Sequence, residues 1–200
     1  MTNHYYSKKP DVESNRTSIT FSLNERSIRL TTDAGVFSKK EVDFGTRTLL
    51  EAFEPPSVHG DFLDVGCGYG PIGISLALQF PDKLIHMIDV NERAIQLATE
   101  NAKVNNVENV VIYESDGFNS VKSNEFAAIL TNPPIRAGKK VVHDILIRSH
   151  AHLVHEGELW VVIQKKQGAP SAKEKLEELF DEVEVVQKNK GYFILRAIKR

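Results

Sequence analysis

The chain has 200 residues, 41% of them hydrophobic and 26% charged, and its formal net charge at pH 7 is −2. This length and composition predict one well-buried globular domain, and the near-neutral charge excludes a general attraction to nucleic acid. A single cysteine, Cys67, excludes an internal disulfide and a cysteine-based metal site, which favours a reducing, cytoplasmic setting. Because no apolar run reaches the roughly 20 residues of a membrane helix and the N-terminus is polar, we expect neither a membrane span nor a signal peptide.

The N-terminal part predicts a loose segment followed by a short β-hairpin. Residues 1–16 are polar and lack an apolar pattern. Two alternating runs follow, at residues 18–23 and 27–31, and they flank the turn-forming pair Asn24-Glu25. We expect these runs to pair as antiparallel strands.

The rest of the chain alternates between apolar strands and helices. The predicted strands are 62–65, 84–89, 110–113, 127–130 and 159–163, and the predicted helices are 42–53, 72–80, 92–104, 141–154 and 172–180. Continuous apolar strands that alternate with helices indicate a parallel sheet covered on both faces. The last two runs, 183–186 and 192–198, are joined by Asn189-Lys190-Gly191, a tight turn typical of antiparallel strands.

These patterns predict an α/β fold: a doubly wound, Rossmann-like, seven-stranded sheet with an antiparallel C-terminal hairpin, preceded by the short N-terminal β-hairpin. We divide the chain into an N-terminal extension over residues 1–34 and one main domain over residues 35–200. The antiparallel end fits the methyltransferase variant of the doubly wound fold better than a dehydrogenase.

A glycine-rich loop follows the first predicted strand of the sheet and opens a helix. It contains Asp64, Gly66, Cys67, Gly68 and Gly70. Glycines allow positive φ angles and let a ligand lie against the main chain. The loop also fits the dinucleotide fingerprint G-x-G-x-x-G, so an NAD-dependent oxidoreductase is an alternative at this point. The acidic residue two positions before the first glycine, Asp64, is instead typical of class I methyltransferases. Their cofactor carries an amino acid, and we expect the Asp64 carboxylate to bind its methionine ammonium group directly or through water.

Further acidic positions fit a bound nucleoside. Asp89 ends the second predicted strand of the sheet, where a carboxylate can accept both ribose hydroxyls, and Val90 follows it. Asp116-Gly117 follows the third strand, where the Asp116 side chain can accept the adenine amino group. A plain turn is the alternative interpretation of this pair, because Asp-Gly is common in turns. We predict that all of these residues bind the cofactor.

The segment Asn132-Pro133-Pro134 follows the predicted strand at 127–130. Two prolines fix φ and remove two backbone donors, so their carbonyls are left to face a ligand, and the asparagine amide adds an acceptor. We predict that the Asn132 oxygen and the Pro133 carbonyl hold the two hydrogens of a planar amino group, in line with a sulfonium methyl. Such a transfer depends on positioning and needs no strong acid or base. A rigid turn without chemistry is the alternative.

With these motifs in place, the chain from about residue 35 onward resembles the RsmC-type family of rRNA guanine-N2 methyltransferases, in its compact single-domain branch. The segments Gly35-Val36-Phe37-Ser38 and Asp43-Phe44-Gly45-Thr46 also carry the resemblance. It implies S-adenosyl-L-methionine as cofactor and ribosomal RNA or the small ribosomal subunit as partner. It further implies that Thr46 contacts the cofactor and that Phe37 stacks near the substrate. A core position for Phe37 is the alternative.

Residues after the two prolines bear on the substrate. Ile135 stands where adenine-N6 enzymes usually have an aromatic residue, which favours guanine over adenine or protein glutamine. Arg136 and Lys139 are predicted to contact RNA phosphate. Other lysines and arginines near strand ends would extend this basic rim: Lys39, Lys40, Arg47, Lys140, Lys165 and Lys166. Ordinary solvated side chains are the alternative.

We expect no metal site and a monomer. Beside the guanine-N2 enzyme, the sequence leaves three alternatives: a methyltransferase of another amino nitrogen, an NAD-dependent oxidoreductase and a cofactor-binding RNA chaperone without turnover. Asn132-Pro133-Pro134 and the antiparallel end of the sheet disfavour the oxidoreductase.

Overall fold

The computed structural model describes residues 8–200, and the elements lie within that range. The strands are β1 (Thr17–Leu23), β2 (Arg26–Thr32), β3 (Asp61–Val65), β4 (Ile85–Asp89), β5 (Val110–Glu114), β6 (Phe126–Thr131), β7 (Leu153–Gln164), β8 (Glu182–Asn189) and β9 (Tyr192–Ile198). The α-helices are α1 (Phe44–Ala52), α2 (Pro71–Gln79), α3 (Glu92–Val104), α4 (Lys139–His152) and α5 (Ala169–Glu177). Two short 3-10 helices, Ile135–Ala137 and Lys165–Gln167, precede α4 and α5.

The main sheet has seven strands in the order β5-β4-β3-β6-β7-β9-β8. The first five are parallel, whereas β9 runs antiparallel to both β7 and β8. The chain winds outward from β3 to β5 and then returns to place β6 on the other side of β3. In such sheets, ligands bind beyond the carboxyl ends of the two strands at this reversal. The predicted doubly wound sheet with an antiparallel C-terminal hairpin is confirmed.

The N-terminal hairpin is also confirmed. Its turn residues Asn24 and Glu25 have φ angles of 49° and 64°, the backbone geometry that favours asparagine and glycine in two-residue hairpin turns. Alternate side chains of β1 and β2, including Phe21 and Leu30, are buried in the same apolar cluster as residues of α1, α2 and β3. The hairpin therefore shares its core with the main sheet, and the division of the chain at residue 34 stays a prediction.

Part of the N-terminal segment predicted to be loose is held against α3 by hydrogen bonds. Residues 1–7 lie outside the described residues, but residues 8–16 follow the surface of α3. The Glu92 amide donates to the Lys8 carbonyl at 3.0 Å, and Arg93 donates to the Val12 carbonyl at 2.9 Å. The prediction was wrong for this stretch because its backbone groups find partners at the N-terminus of α3, which composition does not reveal.

The ends of α4 and β7 also differ from the prediction. Helix α4 begins two residues earlier, because Gly138 takes a φ of 96° and lets the chain turn directly into the helix. Strand β7 begins at Leu153, where α4 stops, and is 12 residues long. The pairing of β6 with β7 has one register irregularity, between Phe126 and Ala128, so the first residues of this long strand are out of step with the rest.

Two apolar layers cover the sheet. One contains the buried faces of α1, α2 and α3, and the other contains those of α4 and α5. Trp160 is among the largest fully buried side chains, and its ring meets that of Phe53 edge to face at 5.3 Å between centroids. Its indole N–H donates to Glu158 at 2.7 Å, so the one polar atom of this ring is satisfied.

Replacing Trp160 with alanine is expected to lower the free energy of unfolding by about 3–5 kcal/mol, because the cavity cannot collapse at the centre of the sheet. Urea unfolding followed by circular dichroism measures the change. Trp160→Phe is the matched control, since it keeps most of the buried ring area, and we expect a clearly smaller loss. Equal losses for the two variants would contradict the packing argument.

Candidate active site

A cavity of about 1200 Å³ opens beyond the carboxyl ends of β3, β4 and β6. Its walls combine segments that are far apart in sequence: the glycine loop, the end of β4, the turn after β5 and the diproline segment. This is the edge where the strand order reverses, and the volume is large enough for a nucleoside-sized ligand. Most of the cofactor residues predicted from the sequence therefore line the same cavity as the diproline segment.

The middle of the glycine loop is shaped to receive a ligand. Gly66 and Gly68 have φ angles of 75° and 56°, and a Cβ added at either residue would meet no atom within 4 Å. The Gly66 and Cys67 amides donate to the Ile88 carbonyl at 2.9 Å, which fixes the loop on β4. The main chain is thus held rigid while its outer surface stays open, as a cofactor lying against the backbone requires. Cys67 also lines the cavity, and burial raises the pKa of its thiol well above its usual range.

Two residues of the predicted cofactor set lie beneath the loop. Asp64 is fully buried, and its Oδ2 accepts the Gly73 amide at 2.9 Å, which joins β3 to the first turn of α2. A Cβ at Gly70 would lie 2.8 Å from the Ile74 side chain and 3.0 Å from that of Met87. Neither Asp64 nor Gly70 belongs to the cavity lining. Their contact with a cofactor stays a prediction, and the structure shows them shaping the loop.

Burial raises the pKa of Asp64 to about 8, and the charge of Asp89 adds to this effect while the Gly73 hydrogen bond opposes it. The folded protein therefore holds the proton more tightly than the unfolded chain, whose aspartate pKa is about 3.9. Stability is expected to fall as pH rises from about 4 towards 8, by up to about 1.4 kcal/mol per pH unit. Asp64→Asn should remove this fall, and unfolding at about pH 5.5 and about pH 7.5 measures it. Equal pH dependence in the two proteins would contradict the assignment.

The wall formed by β4 and β5 suits a nucleoside. Asp89 Oδ2 accepts the Gly68 amide and Oδ1 accepts the Asn91 amide, both at 2.9 Å. Burial raises the pKa of Asp89, and these backbone donors oppose that rise. Each carboxylate oxygen has two lone pairs, so each can still accept a hydroxyl. Val90 and the turn Asp116-Gly117 line the same cavity, and their contact with a cofactor stays a prediction.

The amide group of Asn132 is held by hydrogen bonds at its nitrogen. Its Nδ2 donates to Asp43 Oδ2 at 3.1 Å and to Thr46 Oγ1 at 3.0 Å. An ionised carboxylate can only accept, so the nitrogen must face Asp43 and Oδ1 must face away from it. The preceding residue, Thr131, donates to the Val65 carbonyl at 2.8 Å, which ties the start of the diproline segment to the start of the glycine loop. This arrangement leaves the Asn132 oxygen as a fixed acceptor in the cavity.

Asp43 and Tyr192 were missed as site residues by the sequence analysis. Asp43 caps α1 by accepting the Thr46 amide at 3.1 Å, and its Oδ1 accepts the Tyr192 hydroxyl at 3.2 Å. A Cβ at Gly45 would lie 2.6 Å from the Tyr192 ring, so only glycine allows this approach. The spacing Asp-x-Gly-Thr could have indicated a helix cap, but not its partner on the last strand. Thr46 lines the cavity and holds Asn132, a role beyond the predicted cofactor contact.

The predicted substrate residues divide into two groups. Phe37, Ile135 and Arg136 line the cavity, and Phe37 is 41% exposed, so the core interpretation of this residue is wrong. Lys139 lies instead on a separate shallow depression, whereas Lys140, its neighbour on α4, lines the main cavity. The other basic residues of the predicted rim are not part of the lining: Lys39, Lys40, Arg47, Lys165 and Lys166.

Residues 8–200 contain neither a metal-binding cluster nor a membrane-spanning helix. No group of three or more histidine, cysteine, aspartate or glutamate side chains in that range is arranged to hold a metal ion. None of the helices described there combines the length and the apolar character needed to cross a membrane.

The sequence matches a known family and several known proteins. The model of the family "Methyltransferase small domain" matches residues 27–196. The uncharacterized protein YbxB of Bacillus subtilis is 64% identical over 200 residues, the whole of both chains. Ribosomal RNA small subunit methyltransferase C of Shewanella amazonensis is 32% identical over 96% of this chain, and ribosomal RNA large subunit methyltransferase G of Pseudomonas syringae is 33% identical over 90%. This chain spans 55% and 48% of those two proteins, about half of their length.

A solved structure has the same fold. The 16S rRNA N2 G1207 methyltransferase (RsmC) of Thermus thermophilus, in complex with AdoMet and guanosine, superposes with a TM-score of 0.83 over 96% of this chain. It is 23% identical, and the match covers 52% of its own length. This likeness supports the assignment of the sheet and of the N-terminal hairpin to a methyltransferase fold.

Proposed function

Because the chain belongs to the methyltransferase small domain family, we propose that it transfers a methyl group from S-adenosyl-L-methionine to the exocyclic N2 of a guanine in small-subunit ribosomal RNA. The family match supports the RsmC-type resemblance predicted from the motifs and argues against the NAD-dependent oxidoreductase and the chaperone without turnover. The observation that carries the proposal is the Asn132 amide, whose oxygen is fixed as an acceptor in the cavity that the glycine loop also lines.

The residues present fit the cofactor. The open backbone surface of Gly66 and Gly68 accommodates its methionine part, Asp89 accepts the ribose hydroxyls, and Asp116 is placed for the adenine amino group. S-adenosyl-L-methionine supplies an activated methyl group whose leaving group is a neutral thioether.

The chain's own contribution to the transfer is orientation. The Asn132 oxygen and the Pro133 carbonyl accept the two amino hydrogens of the guanine, which aligns the nitrogen lone pair with the methyl group. Asp43 and Thr46 prevent the Asn132 amide from turning its nitrogen towards the substrate. The methylated nitrogen loses its extra proton readily, so the site needs no strong base. Rate enhancement then comes from positioning and from acceptors that are already aligned before the substrate enters.

The substrate assignment is supported by relatives and by the rim of the cavity. The Shewanella relative is named for the small ribosomal subunit, and the Thermus protein is described as acting on N2 of a guanine in 16S rRNA. Arg136 and Lys140 stand at the cavity, where cationic side chains can hold RNA phosphates, and Phe37 offers a flat apolar face to a base. A partner that includes ribosomal RNA is consistent with the net charge of −2, because local cations suffice at a defined docking site.

The test is methyl-label transfer from S-adenosyl-L-methionine to naked ribosomal RNA, small subunits and large subunits, followed by nucleoside analysis. We expect N2-methylguanosine in small-subunit RNA. Label in large-subunit RNA would move the substrate to the subunit for which the Pseudomonas relative is named. Label recovered only as N6-methyladenosine or as methylated protein glutamine would overturn the guanine assignment.

A further inference from the structure

Gln164 and Tyr192 line the cavity together with Asn132, and the transfer step described above uses neither of them directly. Gln164 is the last residue of β7, and the antiparallel register places it directly opposite Tyr192, the first residue of β9. Both strand ends therefore lie at the part of the cavity that must hold the amino group that receives the methyl.

The polarity of these side chains follows from one carboxylate. The Tyr192 hydroxyl has a single proton and donates it to Asp43 Oδ1 at 3.2 Å. Its oxygen can then only accept from Gln164. Burial raises the pKa of Tyr192, and its contact with Gln164 opposes that rise. The Gln164 nitrogen thus faces Tyr192, and its oxygen faces away.

Asp43 therefore orients two amides at once. It holds the nitrogen of Asn132 directly. Through Tyr192 it leaves Gln164, the residue opposite in the register, only an acceptor to meet with its amide nitrogen, so both amide oxygens are left to act as acceptors. A cavity that presents two amide oxygens as acceptors favours a ligand with two neighbouring donors.

Guanine has this pattern, because its N1–H lies beside its N2 amino group. Adenine presents an amino group beside an N1 acceptor, and a protein glutamine presents an amino group alone. We propose that Gln164 is a specificity-determining residue that accepts the N1–H of the target guanine while Asn132 holds the amino group. This inference rests on the proposed function and adds the residue, Gln164, that distinguishes guanine from other methyl acceptors.

The test compares guanosine with 2-aminopurine riboside, which keeps the 2-amino group but has no N1–H. Equilibrium dialysis measures the binding of each nucleoside to the protein saturated with S-adenosylhomocysteine. We expect the wild-type protein to bind guanosine about tenfold or more tightly than 2-aminopurine riboside, since a buried acceptor is left unpaired by the analogue. Part of this ratio reflects the missing O6, and that part is common to all variants.

Gln164→Ala is expected to reduce the ratio by about tenfold or to remove it, mainly through weaker binding of guanosine. Tyr192→Phe keeps the ring but frees the amide to turn over, so a smaller reduction is expected. Gln167→Ala is the matched control, because this glutamine lines the same cavity outside the hydrogen-bond chain. An unchanged ratio in Gln164→Ala overturns the inference, even when the wild-type protein forms N2-methylguanosine in ribosomal RNA. Absence of N2-methylguanosine with every RNA substrate overturns the proposed function instead.

Discussion

Replacement of Asn132 by alanine is expected to slow methyl transfer by about a hundredfold to a thousandfold, the range seen when one aligned polar group is removed from a reacting centre. Binding of S-adenosyl-L-methionine should stay within about twofold, because the glycine loop and Asp89 do not depend on this side chain. Single-turnover transfer to ribosomal RNA measures the rate, and calorimetry measures the cofactor affinity.

A second variant, Asn132→Asp, tests whether the amide must donate to Asp43. The new carboxylate has the same shape but cannot donate to Asp43, so two negative groups would face each other where a 3.1 Å hydrogen bond now lies. We expect transfer as slow as in the alanine variant together with lower thermal stability. Asn119→Ala is the control, since that asparagine is exposed and its side chain accepts a hydrogen bond from Arg148 on α4 at 2.7 Å. Wild-type rates in Asn132→Ala would remove the proposed role of the amide.

Charge reversal at the rim of the cavity is the second change with a large expected effect. The double variant Arg136→Glu with Lys140→Glu should weaken binding to ribosomal RNA by about tenfold to a hundredfold near 0.1 M salt, because two phosphate contacts become repulsive. The slope of log affinity against log salt concentration should fall by about 2, one unit for each lost contact. Filter binding across a salt series measures both quantities, and the affinity for the cofactor should not change.

A control variant at two other lysines distinguishes the loss of local RNA contacts from the change in net charge. Lys103 lies in the last turn of α3 and Lys122 precedes β6, so both lie at the opposite edge of the sheet from the cavity, and both are exposed. Lys103→Glu with Lys122→Glu makes the same change in net charge. If this pair weakens RNA binding as much as the rim pair does, the rim is not the contact surface. Lys139→Glu tests the remaining prediction from the sequence, since Lys139 lines the separate depression and not the main cavity.

Local patterns in the sequence predicted the fold well because strands and helices carry their own periodicity. The apolar runs that became β3 to β7 alternate with amphipathic helices, and the turn at Lys190-Gly191 has the positive φ angles that its sequence suggested. The glycine loop and the diproline segment were placed correctly at one sheet edge because each directly follows a parallel strand.

The parts that escaped prediction depend on contacts between distant residues. Asp43 bonds to Asn132 across 89 positions and to Tyr192 across 149, so no local spacing could show that one carboxylate serves both. The role of Asp64 escaped for a different reason. Its position in the motif indicates a ligand contact, but packing decides whether a side chain at the end of a buried strand reaches the cavity or turns under the loop.

The contribution of the last strand to the site has a consequence for biosynthesis. Translation produces the chain from its N-terminus, so the glycine loop and Asp89 are available long before Tyr192 is made. A nascent chain can complete the cofactor side of the cavity, but Asp43 receives its tyrosine partner only when β9 has been synthesised and has paired with β7. The hydrogen bond from Tyr192 to Asp43 therefore forms later in synthesis than the glycine loop and the end of β4.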